Sequence, residues 1–99
     1  MKENSNQNHF IASGVFVVKN DRGLHTRPST EIVKCATKYK SDITLTYKKT
    51  TVNARSILGV LMLAAEKGSR ITVTAEGPDA EEAVKAFKGL AANCFHIKY

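Results

Sequence analysis

The stretch of this sequence best suited to chemistry is GLHTRP at 23–28, which places His25 just before a predicted helix and Arg27 two residues later. The first turn of a helix carries backbone N–H groups without intrahelical partners and a partial positive charge, so it attracts anions. A phosphate on His25 would be held there, and Arg27 would add charge-assisted hydrogen bonds. The positive end also disfavours imidazolium, which predicts a neutral, nucleophilic ring. The alternative is that His25 only caps the helix, and helix-start chemistry alone does not decide between the two.

Other candidate reactive residues lack suitable neighbours in the sequence. His9 and His96 lie outside the predicted elements and are expected to be solvated. Cys35 is predicted to lie off the apolar face of its helix as an inert thiol, and with Cys94 it forms neither a CxxC pair nor a disulfide framework. No histidine, cysteine or carboxylate cluster has metal-ligand spacing, and there is no glycine-rich phosphate loop. The sequence therefore predicts no metal and no cofactor.

The elements that must position His25 follow from the hydrophobic pattern. Residues 14–19 predict a first strand, closed by turn-forming residues at 20–23. From Thr26 to residue 38 or 39, small and apolar residues recur at helical spacing, which predicts a first helix. The residues on its buried face are Ser29, Ile32, Val33 and Ala36. Pro28 lies in the first turn, where proline is tolerated.

The rest of the chain completes a small α+β pattern. Alternating residues predict strands at 42–47 and 70–76, and 50–54 is predicted to pair back on the first of these. Asp79 and Glu82 have capping-box spacing at the start of a last helix. Its apolar stripe is Ala80, Ala83, Val84, Phe87, Leu90, Ala91 and Cys94. The order βαββαβα predicts three helices on one face of an open, mostly antiparallel four-stranded sheet.

The middle helix is unusual. Its segment, Ile57 to Ala65, is apolar on every side, which is rare for a short helix on the surface of a small domain. Ser56 is placed to cap it. Either this helix is buried all round, or one side is exposed for a partner.

Length and composition limit the classes of protein. The chain has 99 residues, of which 42% are hydrophobic and 24% charged, so it predicts one globular domain at 12–99 after a flexible tail at 1–11. No apolar run approaches the ~20 residues of a membrane helix, and the polar start lacks a secretory signal. We therefore expect a cytoplasmic protein with reduced thiols and no membrane partner. The net charge of +6, most of it in residues 1–50, favours an acidic partner.

Two separate motifs connect the chain to a known family. They are GLHTRPS at 23–29 and NARSILGV at 53–60, and ITVTAEG at 71–77 adds to them. Over about residues 12–92 the chain closely resembles the histidine-containing phosphocarrier protein (HPr) family of the bacterial phosphoenolpyruvate-dependent sugar phosphotransferase system. The resemblance implies an open-faced β-sandwich of order βαββαβα, in agreement with the pattern above.

The resemblance also implies a role for His25. In the family the matching histidine is phosphorylated on Nδ1 by enzyme I, which takes the phosphoryl group from phosphoenolpyruvate, and it then passes the group to sugar-specific IIA domains. Arg27 corresponds to the arginine that steadies the phosphohistidine. The implied protein is a monomeric phosphoryl-transfer intermediate and not an independent enzyme. Whether it serves sugar uptake, the related nitrogen branch or mainly regulation stays open.

The second motif implies a docking surface for enzyme I and the IIA domains. By resemblance, and with neighbouring positions on the first helix, this surface is expected to include Thr30, Lys34, Ile57, Leu58 and Leu61. Lys34 and Lys38 would supply a basic rim for acidic partners, whereas Val60 and Leu63 are predicted to lie in the core. In some lineages the residue matching Ser56 is phosphorylated by an ATP-dependent serine kinase/phosphorylase that regulates carbon use. Other lineages keep the serine without this switch, so both regulation and a plain helix cap stay open.

A competing hypothesis is a small nucleic-acid-binding module, which the charge and the element order favour. Sheet-type RNA binders need exposed aromatic residues on their strands for base stacking. The exposed strand faces here are mostly Thr, Asp and Lys, and Phe16 and Tyr47 are better placed for packing. We therefore expect no nucleic-acid partner.

Overall fold

The computed structural model describes residues 10–97. The elements in chain order are β1 (Phe10–Val17), α1 (Thr26–Ala36), β2 (Asp42–Tyr47), β3 (Thr50–Asn53), α2 (Ile57–Met62), β4 (Arg70–Gly77), α3 (Ala80–Ala92) and a short C-terminal turn (Cys94–His96). The sheet order is β1-β4-β2-β3, and every neighbouring pair is antiparallel. The predicted fold class is confirmed. Within the described range, no helix has both the length and the apolar character needed to cross a membrane.

The core lies between one face of the sheet and the helices. Along β4 the buried residues Ile71, Val73 and Ala75 alternate with more exposed ones, and β2 contributes Ile43 and Leu45. The helices cover these with Ile32, Ala36, Val60, Ala83, Val84, Phe87 and Ala91. Each large apolar side chain removed from water contributes about 1.5–3 kcal/mol. Burial of this one face therefore supplies most of the free energy that stabilises the fold.

The opposite face of the sheet is open. By register and alternation, it carries Ile11, Ser13, Val15, Val17, Asp42, Thr44, Thr46, Thr51, Asn53, Arg70, Thr72, Thr74 and Glu76. Phe16 is buried on the helix side, and Tyr47 packs half-buried against the core, as predicted. No aromatic residue between positions 10 and 97 lies on the open face. This face therefore lacks the stacking platform that sheet-type RNA binders use.

The first strand is longer than its local pattern indicates. It begins at Phe10, opposite Gly77 on β4, so Phe10 and Ile11 belong to the sheet and not to the predicted tail. The rest of that tail, residues 1–9, lies outside the described residues. Pairing with β4 carries the strand through Ser13 and Gly14, because strand formation depends on cross-strand context more than on intrinsic preference.

Several other elements end earlier than predicted. The helix α1 ends at Ala36 and the strand β3 at Asn53. The helix α2 ends at Met62 instead of Ala65, and Ala64 has a φ of +53°. That left-handed conformation cannot continue a right-handed helix.

The prediction that Cys35 lies off the buried face of α1 was wrong. Its side chain is 9% exposed. The helix packs against α2, α3 and the C-terminal turn, so its buried arc is wider than the stripe in the sequence. Burial raises the pKa of the Cys35 thiol, although the nearby Lys38 ammonium opposes the shift. The thiol therefore stays protonated at neutral pH and acts as a packing group.

Asp79 precedes α3 as predicted, but it does not form the predicted capping box. Its carboxylate makes no bond to the helix. It accepts hydrogen bonds from the Ser41 hydroxyl at 2.6 Å and from the backbone N–H groups of Lys40 and Ser41, both at 2.9 Å. The Ser41 hydroxyl first, and then these N–H groups, hold the pKa of the Asp79 carboxyl below its ordinary value. Asp79 thus ties the start of α3 to the loop before β2.

Because its folded pKa is lowered, Asp79 contributes stability above the unfolded carboxyl pKa of about 4 and loses that contribution as the pH falls through the folded value. Asp79→Asn removes the charge and keeps an acceptor oxygen. We expect it to melt below the wild type at neutral pH, with the difference closing below about pH 4. The control is Asp42→Asn, because the Asp42 side chain is 91% exposed. Thermal unfolding across this range checks the prediction, and a difference that does not depend on pH contradicts it.

Candidate functional site

His25 lies immediately before α1, as the sequence predicts. Its backbone is extended (φ −79°, ψ −168°), and its carbonyl accepts a hydrogen bond from the Ser29 N–H at 3.1 Å. The imidazole makes no capping hydrogen bond to the helix. The side chain is therefore not a plain cap. It lies half-buried at the positive end of an 11-residue helix whose first turn contains no acidic residue.

The start of α1 is fixed by buried residues. The hydroxyl of Ser29, which is fully buried, donates to the carbonyl of Leu24 at 3.1 Å. Pro28 is buried in the first turn, where its missing N–H costs no helical hydrogen bond. The residues on both sides of His25 are thus held in place, and the backbone N–H groups of the first turn keep a defined direction.

The loop before His25 is held against the segment that follows α2. The Leu24 N–H donates to the Ala65 carbonyl at 2.9 Å, and the Gly23 N–H donates to the Asn20 carbonyl at 2.9 Å. Gly23 has a φ of +66°, and a Cβ at this position would collide with the Ala65 carbonyl oxygen. Only glycine combines this conformation with such a close approach. The position of His25 therefore depends on a contact distant in sequence.

We expect Gly23→Ala to lower the free energy of unfolding by more than the roughly 1–2 kcal/mol that a left-handed alanine costs. The excess arises from the collision with Ala65. The matched control is Gly68→Ala, because Gly68 has a φ of +91° and an added methyl group would meet no atom within 4 Å. Urea unfolding of the two variants measures the difference. Equal losses would show that the contact with Ala65 adds nothing.

The basic and polar residues predicted to surround His25 lie on the surface of α1. Arg27 is exposed in the first turn. Thr30 is half-buried, and its hydroxyl donates a hydrogen bond to the Thr26 carbonyl at 2.9 Å. Lys34 has a side chain that is 68% exposed, with its Nζ 3.5 Å from a carboxylate oxygen of Glu31. Both cations are therefore accessible, and the exposed ion pair of Lys34 is a weak one, as a surface that meets anions requires.

The helix α2 exposes one apolar side. The side chains of Ile57, Leu58 and Met62 are 40%, 66% and 69% exposed, and Leu61 is half-buried beside them. We call these four residues the α2 patch. The other side of the segment, with Val60 and Leu63 at 0% and 5%, belongs to the core as predicted. The two alternatives left open by the sequence are thus decided in favour of a helix with one exposed apolar side.

Met62 was not predicted as part of this surface. It lies four residues after Leu58, so the two share one side of the helix, and this spacing was the signal available in the sequence. The helix α1 contacts α2, so the element that begins at His25 and the element that carries the patch are direct neighbours.

The motif at 53–56 builds the start of α2. The Asn53 Oδ1 accepts a hydrogen bond from the Arg55 N–H at 2.8 Å, and the Ser56 Oγ accepts one from the Gly59 N–H at 3.0 Å. The Arg55 guanidinium donates hydrogen bonds through Nη2 to the carbonyl of Tyr39 at 2.5 Å and to the carbonyl of Ser41 at 3.1 Å. Arg55 therefore joins α2 to the loop after α1. The predicted cap by Ser56 is confirmed.

Among the described residues, the remaining candidates do not form a metal site. His96 is exposed in the C-terminal turn, Cys94 is half-buried, and His9 lies outside the described residues. Between positions 10 and 97, no group of three His, Cys, Asp or Glu residues could hold a metal ion.

The fold and the site together define a class: a small open-faced α+β domain with a histidine at a helix start and an exposed apolar helix on the neighbouring element. The family model described as the phosphorylation site of the PTS HPr component matches residues 12–93. The chain belongs to this HPr family of phosphotransferase-system phosphocarriers, which confirms the resemblance found in the sequence.

Individual relatives agree with this assignment. The chain is 44% identical over 79 residues to the multiphosphoryl transfer protein of Escherichia coli O157:H7; the match covers 77% of this chain and 21% of the relative, so the chain spans about a fifth of that protein. The structure of HPr-C-His from Thermoanaerobacter tengcongensis has a TM-score of 0.83 at 35% identity, covering 89% of this chain and 99% of that one. For HPr from Bacillus anthracis str. Ames the TM-score is 0.76 at 39% identity, with coverage of 80% and 94%.

Proposed function

We propose that this protein is a monomeric, cytoplasmic phosphocarrier that accepts a phosphoryl group on Nδ1 of His25 from enzyme I and passes it to IIA domains of sugar permeases. Enzyme I draws the group from phosphoenolpyruvate. In each transfer the bond between phosphorus and its donor breaks as the bond to the acceptor forms, so the carrier is regenerated and does not act as an independent enzyme. The observation that carries the proposal is the position of the His25 imidazole, half-buried at the start of α1 in a first turn with no acidic residue.

The surroundings of His25 suit a phosphorylated ring. The phosphoryl group brings negative charge to a helix end whose N–H groups and partial positive charge stabilise anions. Arg27 adds a fixed positive charge in the same turn, which suits charge-assisted hydrogen bonds to phosphate oxygens. Because Ser29 and Gly23 already hold the loop in place, little reorganisation is required during transfer.

The α2 patch supports docking by enzyme I and the IIA domains. Its exposed apolar side chains could form the dry centre of an interface, with polar and charged residues at the rim. Thr30, Lys34 and Lys38 supply that rim on and just after α1. With a net charge of +6, the chain suits acidic partner surfaces that approach under electrostatic attraction.

Ser56 supports a regulatory role at the edge of this surface, through a serine kinase/phosphorylase. It directly precedes Ile57 and Leu58, both exposed residues of the α2 patch. A phosphate on its Oγ would add about −1.5 to −2 charges beside that patch. We infer that this charge opposes acidic partners and thereby slows phosphorylation of His25.

Transfer from labelled phosphoenolpyruvate through enzyme I should place one acid-labile, base-stable label on the chain. His25→Ala should abolish it, because His25 lies at the start of α1, whereas His96, the other histidine between positions 10 and 97, lies in the C-terminal turn. His96→Ala and His9→Ala are the controls and should keep full labelling. The measurement is the radioactivity retained after acid or base treatment, and label on the His25→Ala protein would refute the assignment.

Leu58→Glu should weaken binding to enzyme I by roughly tenfold or more, because it places a charge at the apolar centre of the α2 patch. The variant should stay folded, since Leu58 is 66% exposed. The matched control is Val15→Glu, at a residue 41% exposed on the open sheet face, which should bind normally. Titration calorimetry with circular dichroism as a folding check measures both. Unchanged affinity of the Leu58 variant would count against the patch.

Ser56→Asp should slow phosphorylation of His25 by enzyme I, and added salt should restore part of the rate because the repulsion is screened. Ser56→Ala should transfer at the wild-type rate but lose about 1 kcal/mol of stability, since the Gly59 N–H loses its acceptor. Rates at low and high ionic strength, with urea unfolding of the alanine variant, test both statements. Equal rates for Ser56→Asp and the wild type would leave Ser56 as a cap only.

A further inference from the structure

Asn20 connects the loop before His25 to the end of the described chain. Its side chain is 1% exposed, and its Nδ2 donates a hydrogen bond to the carbonyl of Cys94 at 2.9 Å. Its own carbonyl accepts the hydrogen bond from the Gly23 N–H. One buried residue therefore closes the turn that leads to His25 and bonds to a segment 74 residues further along the sequence.

The segment that receives this bond has an unusual backbone. Residues 94–96 have consecutive positive φ values of 52°, 56° and 63°. Such left-handed residues cost about 1–2 kcal/mol each, so they persist only where surrounding contacts fix them. Phe95 provides such a contact, because it is fully buried and meets the Phe16 ring edge-to-face at 5.9 Å. The Cys94 carbonyl is thereby anchored to the core.

We propose that Asn20 is a positioning residue for phosphoryl transfer, which fixes the loop carrying His25 by bonding to the anchored carbonyl of Cys94. The inference rests on the proposed function. Leu24 holds the end of the loop nearest His25 through Ala65, and Asn20 holds its beginning. Transfer between two proteins needs the accepting nitrogen in line with the phosphorus, and a displacement of about 1 Å at such a site can cost up to a hundredfold in rate.

The first test uses the unphosphorylated protein. Asn20→Leu keeps the volume of the side chain but cannot donate a hydrogen bond, and Asn20→Ala removes the contact altogether. In either variant the amides of Gly23 and Leu24 should exchange with solvent about tenfold faster or more, as expected when a local tether is lost, while the amide of Leu45 in β2 stays protected. The control is Asp21→Asn in the same turn, which alters only an exposed contact with Lys67 and should leave these rates unchanged.

The second test measures phosphorylation of His25 by enzyme I and phosphoenolpyruvate. If Asn20 positions the loop, kcat should fall by about tenfold or more in Asn20→Leu, while KM for the carrier stays unchanged because the α2 patch is intact. A purely structural role would lower neither constant in the folded protein. Unchanged exchange or an unchanged kcat in the variants, with a wild type that transfers normally, would overturn this inference alone. A wild type that accepts no phosphoryl group would overturn the proposed function and this inference together.

Discussion

The close contact between the loop before His25 and the segment after α2 is the constraint on which the site depends. The Leu24 N–H donates a hydrogen bond to the Ala65 carbonyl, and the two backbones approach so closely at Gly23 that no side chain would fit there. Together with the bond from the Ser29 hydroxyl to the Leu24 carbonyl, this contact fixes the start of α1, and with it the direction of the N–H groups that face a phosphoryl group in the proposed transfer. It also joins the loop before His25 to the segment that follows the helix with the α2 patch. The first family motif thus meets, through backbone atoms, the segment that follows the helix of the second motif.

The two helices that this contact brings together differ in character: the start of α1 is electropositive, and α2 exposes apolar side chains. On α1, a helix end without acidic residues and exposed cations suit a group that gains negative charge. On α2, the core takes Val60 and Leu63 and leaves Leu58 and Met62 in solvent. A six-residue helix cannot bury all its sides against one sheet, so its exposed apolar surface follows from the fold. A partner that binds this surface would therefore lie next to α1, the helix that follows His25.

The sequence predicted the features that depend on local spacing. The position of His25 before α1, the Ser56 cap and the burial of Val60 and Leu63 all follow from contacts within a few residues or from the period of one element. The order of strands and helices was correct for the same reason, because side-chain periodicity is set by the backbone geometry of each element. The family motifs added the chemistry expected of His25, which periodicity alone could not supply.

Tertiary packing decided what local spacing could not. Cys35 became buried because several elements cover α1, and Asp79 bonded to Ser41 in another loop instead of capping its own helix. The hydrogen bond from Asn20 to the Cys94 carbonyl joins residues 74 positions apart, so no local pattern could predict it. The hydrophobic pattern of an element shows which of its sides is apolar. Which atoms contact that side depends on how distant segments pack. The sequence by itself therefore determined the order of the elements and the position of His25 before α1, and the tertiary structure determined what holds that histidine in place.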